Sequence, residues 1–587
     1  MADAFYDPLK PFVSLTLLIA PAAAGVAAAA EAGLAAVTTV LAKATGIDAQ
    51  RASGAVRTAP DGQSVTRGLR YVRRVRPAWT TADLEDLQHH LVLVFASGGY
   101  VALYLTDPRL QTAVTSDAMS HRPDRCFKAF DPVPRAELGA AFLGDGPTRT
   151  MWLTGAHGRT PLKANGKVLS GDDLEYALDP FDDQSFWWSA ARARHTALDT
   201  VVGASSRASK VWLKQADSIR EFEGQARAVL RHLADTAAGA AGEPYRVLAE
   251  PMARVNLATV QRAYDLSILP PDAEAVPEET PEALEARVAD ALACRFTVTG
   301  AEGEVGFQAQ VRRGDTDVGL LDISLAPSGR DKVTFTVAEH AVAGQEAALA
   351  RIAEEVRRGE QVNVRYDSGH SISGRRVFSM RPRQVAFDGF DPCDFPDIDI
   401  DQEKPADMEQ IGVGRSLFCW VKTTRSGWLA CDDGAMEKAD FIHIDDTADP
   451  PVLSFIHVKG SHSDNADREV SVSAYEVVTG QAVKNLVWLD KQRFDRGLLQ
   501  RARAAHFYWK DGQAAQRDGF VAAAEALGAS TRRRVIIVQP SLRLAYATTP
   551  GLDAANQLRL DQLHTLLASG RRSCAALGAD LSVVCAR

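Results

Sequence analysis

The run Leu269-Pro-Pro-Asp-Ala-Glu-Ala-Val-Pro-Glu-Glu-Thr-Pro281 holds four prolines, four acids and no basic residue. Proline lacks a backbone N–H and fixes φ, so the run cannot continue a helix or a central strand, and its like charges repel. It predicts an extended linker that cuts the chain. At ~100–200 residues per domain, 587 residues predict three or four domains. With 46% hydrophobic and 24% charged residues, the chain is globular and away from disordered, collagen-like or coiled-coil compositions.

Upstream of the linker, residues 12–41 carry a single charge, Glu31, over a length that could cross ~30 Å of hydrocarbon. Pro21 interrupts the stretch, and the residues before it lack the basic region of a signal peptide. A strand at Val13–Ala20 followed by a buried alanine-rich helix is the expectation, with no membrane partner. Leu91–Leu105 reads as two strands about a Gly98-Gly99 turn, and Ser218–Ala237 as an amphipathic helix. After the linker, Arg295–Val298, Gly306–Val311, Val318–Ser324 and Val333–Val337 alternate as strands, and Gly344–Arg358 reads as a helix. Asp388–Asp401 is acidic, with alternating Asp397, Asp399 and Asp401, but lacks the glycine and terminal glutamate of an EF-hand loop. These breaks predict a mixed α/β N-terminal region over 1–265, a linker over 266–284, a β-rich middle domain over 285–387, an acidic connector over 388–410 and a further domain over 411–587.

The net charge of −9 argues against a surface built for indiscriminate nucleic-acid binding. The average conceals a split: residues 411–587 hold 22 Lys+Arg against 19 Asp+Glu, which leaves −12 on the first 410 residues. Seven scattered cysteines without a C-x-x-C pair argue against a zinc knuckle and for free thiols in a reducing cytoplasm. No phosphate-binding G-x-x-x-x-G-K-[ST] loop, G-x-S-x-G elbow or H-E-x-x-H motif occurs.

The last third has the most interpretable order. Ser416–Thr423 and Trp428–Cys431 read as strands, then Lys438-Ala-Asp-Phe-Ile-His-Ile444 and Val452-Leu-Ser-Phe-Ile-His-Val-Lys459. A helix over Val472–Leu489 follows, then the apolar strand Arg534–Gln539 and a last strand at Leu581–Cys585. At Glu437-Lys-Ala-Asp440-Phe-Ile and Phe455-Ile-His-Val-Lys459 the chain resembles the PD-(D/E)XK nuclease superfamily. That superfamily sets an Asp on one core strand and an acid-x-Lys on its neighbour, with a helix behind. The resemblance covers residues 411–587 and implies a restriction-endonuclease-like mixed central sheet flanked by helices, in a multidomain chain of α/β and α+β regions.

Hydrolysis of a phosphodiester needs a hard cation on oxygen ligands and a positive group beside the attacked phosphorus. Asp440 would hold Mg²⁺ or Mn²⁺, the Val458 carbonyl would add an oxygen, and Lys459 would orient water and stabilise charge. The acid two positions before the lysine is replaced by His457, which can ligate a transition ion but lacks a carboxylate's charge. The site is either altered or inactive. Glu476 on the following helix is the candidate replacement acid, with Gln481 and Lys484 reaching a phosphate; Glu437 is a second candidate acid. Arg493, Arg496, Arg501 and Arg503, interleaved with His506-Phe-Tyr-Trp509, could guide nucleic acid, and Arg532-Arg533-Arg534 adds charge before a core strand. Tyr366 with His370, Gly155-Ala-His157-Gly-Arg159 and Asp182-Asp183 through Trp187-Trp188 read as hairpin and packing features.

The expectation is a cytoplasmic, bacterial-type, metal-dependent nuclease acting on DNA in preference to RNA. A role in antiphage defence or restriction, with a helicase or other defence-system protein as partner, follows by analogy alone. The alternative is an inactive nuclease-fold scaffold that binds nucleic acid or protein.

Overall fold

The nearly uncharged N-terminal stretch forms the strand Phe12–Ile19 and the helix Val26–Lys43. The computed structural model describes the chain apart from residues 1–2, 22–23, 44–48, 52–53, 60–61, 78, 80, 120–123, 158–161, 175–176, 180, 238–244, 246, 253, 271–280, 329–331, 380–384, 435–436, 462, 466–467, 491–506 and 549–550. It divides into two compact units, Met1–Pro382 and Arg383–Arg587.

In the first unit Phe12–Ile19 lies in the middle of a 12-stranded antiparallel sheet, between Tyr100–Leu105 and Lys210–Gln215. Its alternating side chains serve two cores: Val13, Leu15 and Leu17 meet the helix Ile219–Ala237, and Leu18 meets the helix Val26–Lys43. That second helix is long and apolar enough to cross a membrane, yet Ala29, Ala30, Val37 and Leu41 pack on the sheet. Gly33 sets the close approach, since a Cβ there would lie 2.9 Å from Val94.

The boundary expected between 265 and 285 does not separate two bodies. Ala263–Ile268, placed by the sequence across the edge of the linker, pairs with Val362–Tyr366. Trp187 Nε1 donates to Ser373 Oγ at 3.3 Å, and Asn363 Nδ2 donates to the Gly155 carbonyl at 3.2 Å. Backbone pairing and buried polar contacts thus join residues on both sides of the linker, whose residues 271–280 lie outside the described set. The four alternating runs of the middle region form an antiparallel meander from Cys294 to Ala341, covered by the helix Glu346–Arg358.

The second unit is a mixed sheet with helices on both faces. Its strands are β1 (Phe390–Cys393), β2 (Trp428–Cys431), β3 (Phe441–Asp445), β4 (Val452–Val458), β5 (Tyr508–Lys510), β6 (Gln513–Ala514), β7 (Arg532–Arg543) and β8 (Ala579–Ala586). The spatial order is β1-β8-β7-β4-β3-β2-β5-β6. From β1 to β4 neighbours are parallel, and from β4 to β6 antiparallel. The principal helices are α1 (Leu417–Thr424), α2 (Ser473–Asn485), α3 (Arg517–Glu525) and α4 (Ala554–Ala575). Ile442, Phe455, Val535 and Leu581 pack towards α2 and α4, whereas Phe441, Ile456, Val458 and Ile536 pack towards α1.

Two expectations change here. Ser416–Thr423 is a helix rather than a strand: the Ser416 hydroxyl accepts from the Cys419 N–H at 3.4 Å as an N-cap. Residues 417–421 are all buried, so the run carries neither period and cannot identify its own structure. The acidic segment 388–410 is no solvated connector either. It supplies β1, and Phe395, Ile398, Ile400 and Met408 pack with α1, so its apolar residues outweigh the alternating aspartates.

Candidate metal centre

Three features build the site. Gln402 and Glu403 sit over the start of α1, where their carbonyls accept from the Leu417 and Phe418 N–H groups at 2.9 and 3.1 Å. These bonds satisfy orphan donors of the helix and fix the Glu403 and Lys404 backbone. The segment after β2 then folds back on itself. Asp432 N–H donates to the Asp440 carbonyl at 2.9 Å, and Gly434, at φ +137°, donates to Glu437 Oε2 at 2.9 Å. Finally, antiparallel pairing of Phe441 with Ile456 brings the start of β3 beside the end of β4, so Asp440 and Lys459 flank the same edge of the sheet.

Carboxylate oxygens of Asp433, Glu437 and Asp440 consequently lie within 4.8 Å of one another. Asp440 is only 6% exposed, and its Oδ2 accepts from the Val458 N–H at 2.7 Å. Burial pushes its carboxyl up to about 7; the charges of Glu437, Asp433 and Glu403 push in the same direction, and the Val458 bond opposes them. Lys459 is held after β4 by its N–H to Val538, and its Nζ pairs with Glu403 Oε2 at 2.8 Å. Lys404 Nζ pairs with Asp433 Oδ1 at 2.6 Å. Burial alone would lower that ammonium, but Asp433, Asp440 and Glu403 raise it. Glu403 thus pairs with Lys459 and acts on Asp440 by its charge, while Asp440 and Lys459 form no ion pair with each other.

The donor set fits a hard divalent cation. All three converging groups offer oxygen, as Mg²⁺ and Mn²⁺ prefer, and two ligands across such an ion stand about 4.2 Å apart, close to the span observed. Four carboxylates, Glu403, Asp433, Glu437 and Asp440, share two ammonium groups, Lys404 and Lys459. Burial raises Asp440 first and that imbalance adds to it, and a dication would relieve both.

The remaining sequence candidates are distributed as follows. His457 is 2% exposed and its Nε2 has no hydrogen-bond partner among the described residues. Burial, then the charge of Lys484, lowers its ring to about 4, so it is neutral near pH 7 and stands outside the carboxylate group. Val458 offers Asp440 its N–H. Glu476 is exposed on α2, outside the carboxylate group; Gln481 on the same helix is half-buried and Lys484 exposed. Arg493, Arg496, Arg501 and Arg503 lie outside the described residues.

Sequence reasoning passed over Glu403, Lys404 and Asp433 as site residues. The available signal was the crowding of acids in Asp432-Asp433-Gly434 through Asp440 between two strands. Glu403 left no such trace, because only the capping of α1 reveals its position. No protein-family model, curated protein or solved structure matches this chain.

Proposed function

We propose that the second unit hydrolyses phosphodiester bonds of nucleic acid, DNA in preference to RNA, with Mg²⁺ or Mn²⁺. The observation that carries the reading is the meeting of Asp433, Glu437 and Asp440 at one edge of the sheet, with Lys459 held there through Glu403. The order of α1, three antiparallel strands, α2 and a strand parallel to β4 supports it, since the resembling superfamily also sets its acid and lysine on neighbouring strands backed by a helix.

Asp433, Glu437 and Asp440 would hold the ion, which when bound supplies Lewis-acid stabilisation of the phosphoryl oxygens and a more acidic water. Val458 N–H keeps one Asp440 oxygen fixed. Lys459 lies beside this group and would carry positive charge to the phosphate as charge develops on it. Glu403 holds that ammonium in place at 2.8 Å.

The deciding experiment incubates the full chain with plasmid, single-stranded DNA and RNA under Mg²⁺ and Mn²⁺, alongside Asp440→Ala and Lys459→Ala. Cleavage by the wild type that both variants lose is the expected result. No cleavage of any substrate under either ion overturns the reading and leaves a binding scaffold.

A further inference from the structure

Arg534, read from the sequence as mere charge before a strand, lies in a row of polar residues away from the carboxylates. His443 on β3 pairs with Ser454 on β4, and Ser454 pairs with Arg534 on β7. With side chains alternating along each strand, all three share the α1 face with Phe441, Ile456 and Ile536. Arg425 follows α1 directly and lies over the Trp420 ring at 6.0 Å. The next carbonyl, that of Ser426, accepts from His443 Nε2 at 2.6 Å, which brings the Arg425 backbone against the imidazole.

The row is unsatisfied in a specific way. A carbonyl only accepts, so the bond to Ser426 places the His443 proton on Nε2 and leaves Nδ1 a bare acceptor. Nδ1 is buried with no partner among the described residues, on a side chain 7% exposed. Arg425 Nε is likewise buried without a partner. Neither Arg425 nor Arg534 forms an ion pair with the described residues. Asp391 acts on Arg425 from a distance, Asp445 is occupied by its own turn through Thr447 and Ala448, and Asp580 pairs with Arg571 at 3.3 Å. Burial lowers both Arg425 and His443, and Arg534 depresses each further, which records two guanidinium charges near one imidazole.

We propose that Arg425, Arg534 and His443 form a binding site for a phosphate group carrying one O–H, either inorganic phosphate or a terminal phosphomonoester. Two half-exposed guanidinium groups side by side favour an anion with several acceptor oxygens. The bare Nδ1 requires a donor from that same anion. Inorganic phosphate keeps an O–H at neutral pH, and a terminal phosphomonoester keeps one in the monoanion present around and below its second pKa of about 6, whereas sulfate has none to offer. An internal phosphodiester has none either, so the chemistry selects a chain end over a chain interior. The site shares no residue with the carboxylate cluster and does not depend on hydrolysis.

The test is calorimetric titration of the full chain in EDTA at pH 7 with inorganic phosphate and with sulfate. Saturable phosphate binding, tighter than sulfate, is expected in the wild type and in Asp440→Asn. Arg534→Gln should weaken it about tenfold or more, as loss of a charge-assisted pair requires. His443→Phe, which keeps a ring but removes Nδ1, should erase the preference over sulfate. Competition by a 5′-phosphorylated oligonucleotide, but not by its unphosphorylated form, identifies the terminal monoester as the source; absence of competition identifies free phosphate. No saturable phosphate binding, or undiminished binding in a folded Arg534→Gln, overturns the site. Because Asp440→Asn serves as a second background, failure here is distinguishable from failure of the hydrolase reading.

Discussion

Each unit contains a cluster of carboxylates and lysines, and Asp182 in the first and Asp440 in the second are shifted in opposite directions, although burial also raises Asp183 beside Asp182. In the first unit, Asp182 receives Lys163 at 3.0 Å and Lys167 at 2.8 Å, and Lys167 also contacts Asp183. Both ammonium groups stand over the Phe186 ring, at 5.1 and 4.7 Å. Burial alone would raise Asp182, but the two lysines outweigh it and hold the carboxyl at about 2. In the second unit the lysines are outnumbered, and Asp440 is pushed to about 7. Acids matched one for one by ammonium groups close on themselves and fasten a loop. Acids in excess around one buried carboxyl retain a demand for positive charge, which a divalent ion would answer.

The strongest way to break this contrast is through activity. Asp440→Ala should lower Mn²⁺-dependent cleavage about 10²–10³-fold, the scale of losing one charge-stabilising group. Asp182→Ala should leave the rate unchanged. Next comes stability: Asp183→Ala removes one of the two carboxylates on Lys167 and the acceptor of the Asp179 N–H, and should cost the first unit about 3 kcal/mol in urea unfolding. In EDTA, Asp440→Asn should cost nothing or stabilise, because it removes a buried charge and the repulsion it meets. An equal loss in both variants would erase the distinction. Somewhat smaller is the metal's own effect. Mn²⁺ at about 100 times its Kd adds about 2.7 kcal/mol to the second unit, a rise of about 5 °C or more in its melting transition. Asp433→Asn should abolish the rise, and Asp182→Asn should not.

The same contrast explains how much the chain disclosed in advance. β3, β4, α2 and β7 were legible because apolar period and length mark them, and the resemblance set Asp440 and Lys459 on neighbouring strands before any coordinates. α1 was misread, since five consecutive buried residues carry no period, and its nature rests on one hydroxyl at Ser416. Glu403 was invisible because its position follows from carbonyls capping α1, a long-range consequence that no local spacing records. The joining of the first 382 residues into one unit was hidden for a similar reason: a proline-rich linker marks where the chain is extended, not whether its flanks meet again.

The smallest effect is the sign of the pH dependence, and it separates the clusters without metal. Asp182 titrates at about 2 when folded, below its ordinary value of 3.8, so the unfolded chain binds more protons between these values. Its stabilisation is complete above pH ~4 and disappears as the pH falls towards 2. Asp440 titrates at about 7 when folded, above the same ordinary value. There the native state binds more protons, so stability falls as the pH rises from ~4 to ~7. His457, lowered to about 4, acts against this, because its unfolded form protonates first as the pH drops below ~6.5. The two slopes nearly cancel in the wild type, so the measurement is a difference. Urea midpoints of wild type and Asp440→Asn in EDTA should diverge steadily from pH 4 to pH 7, with the variant the more stable at the upper end. Those of wild type and Asp182→Asn should stay parallel over that window and converge only below pH 4. Parallel curves for Asp440→Asn as well would mean that its carboxyl is already compensated, and the excess of negative charge on which the metal site rests would be gone.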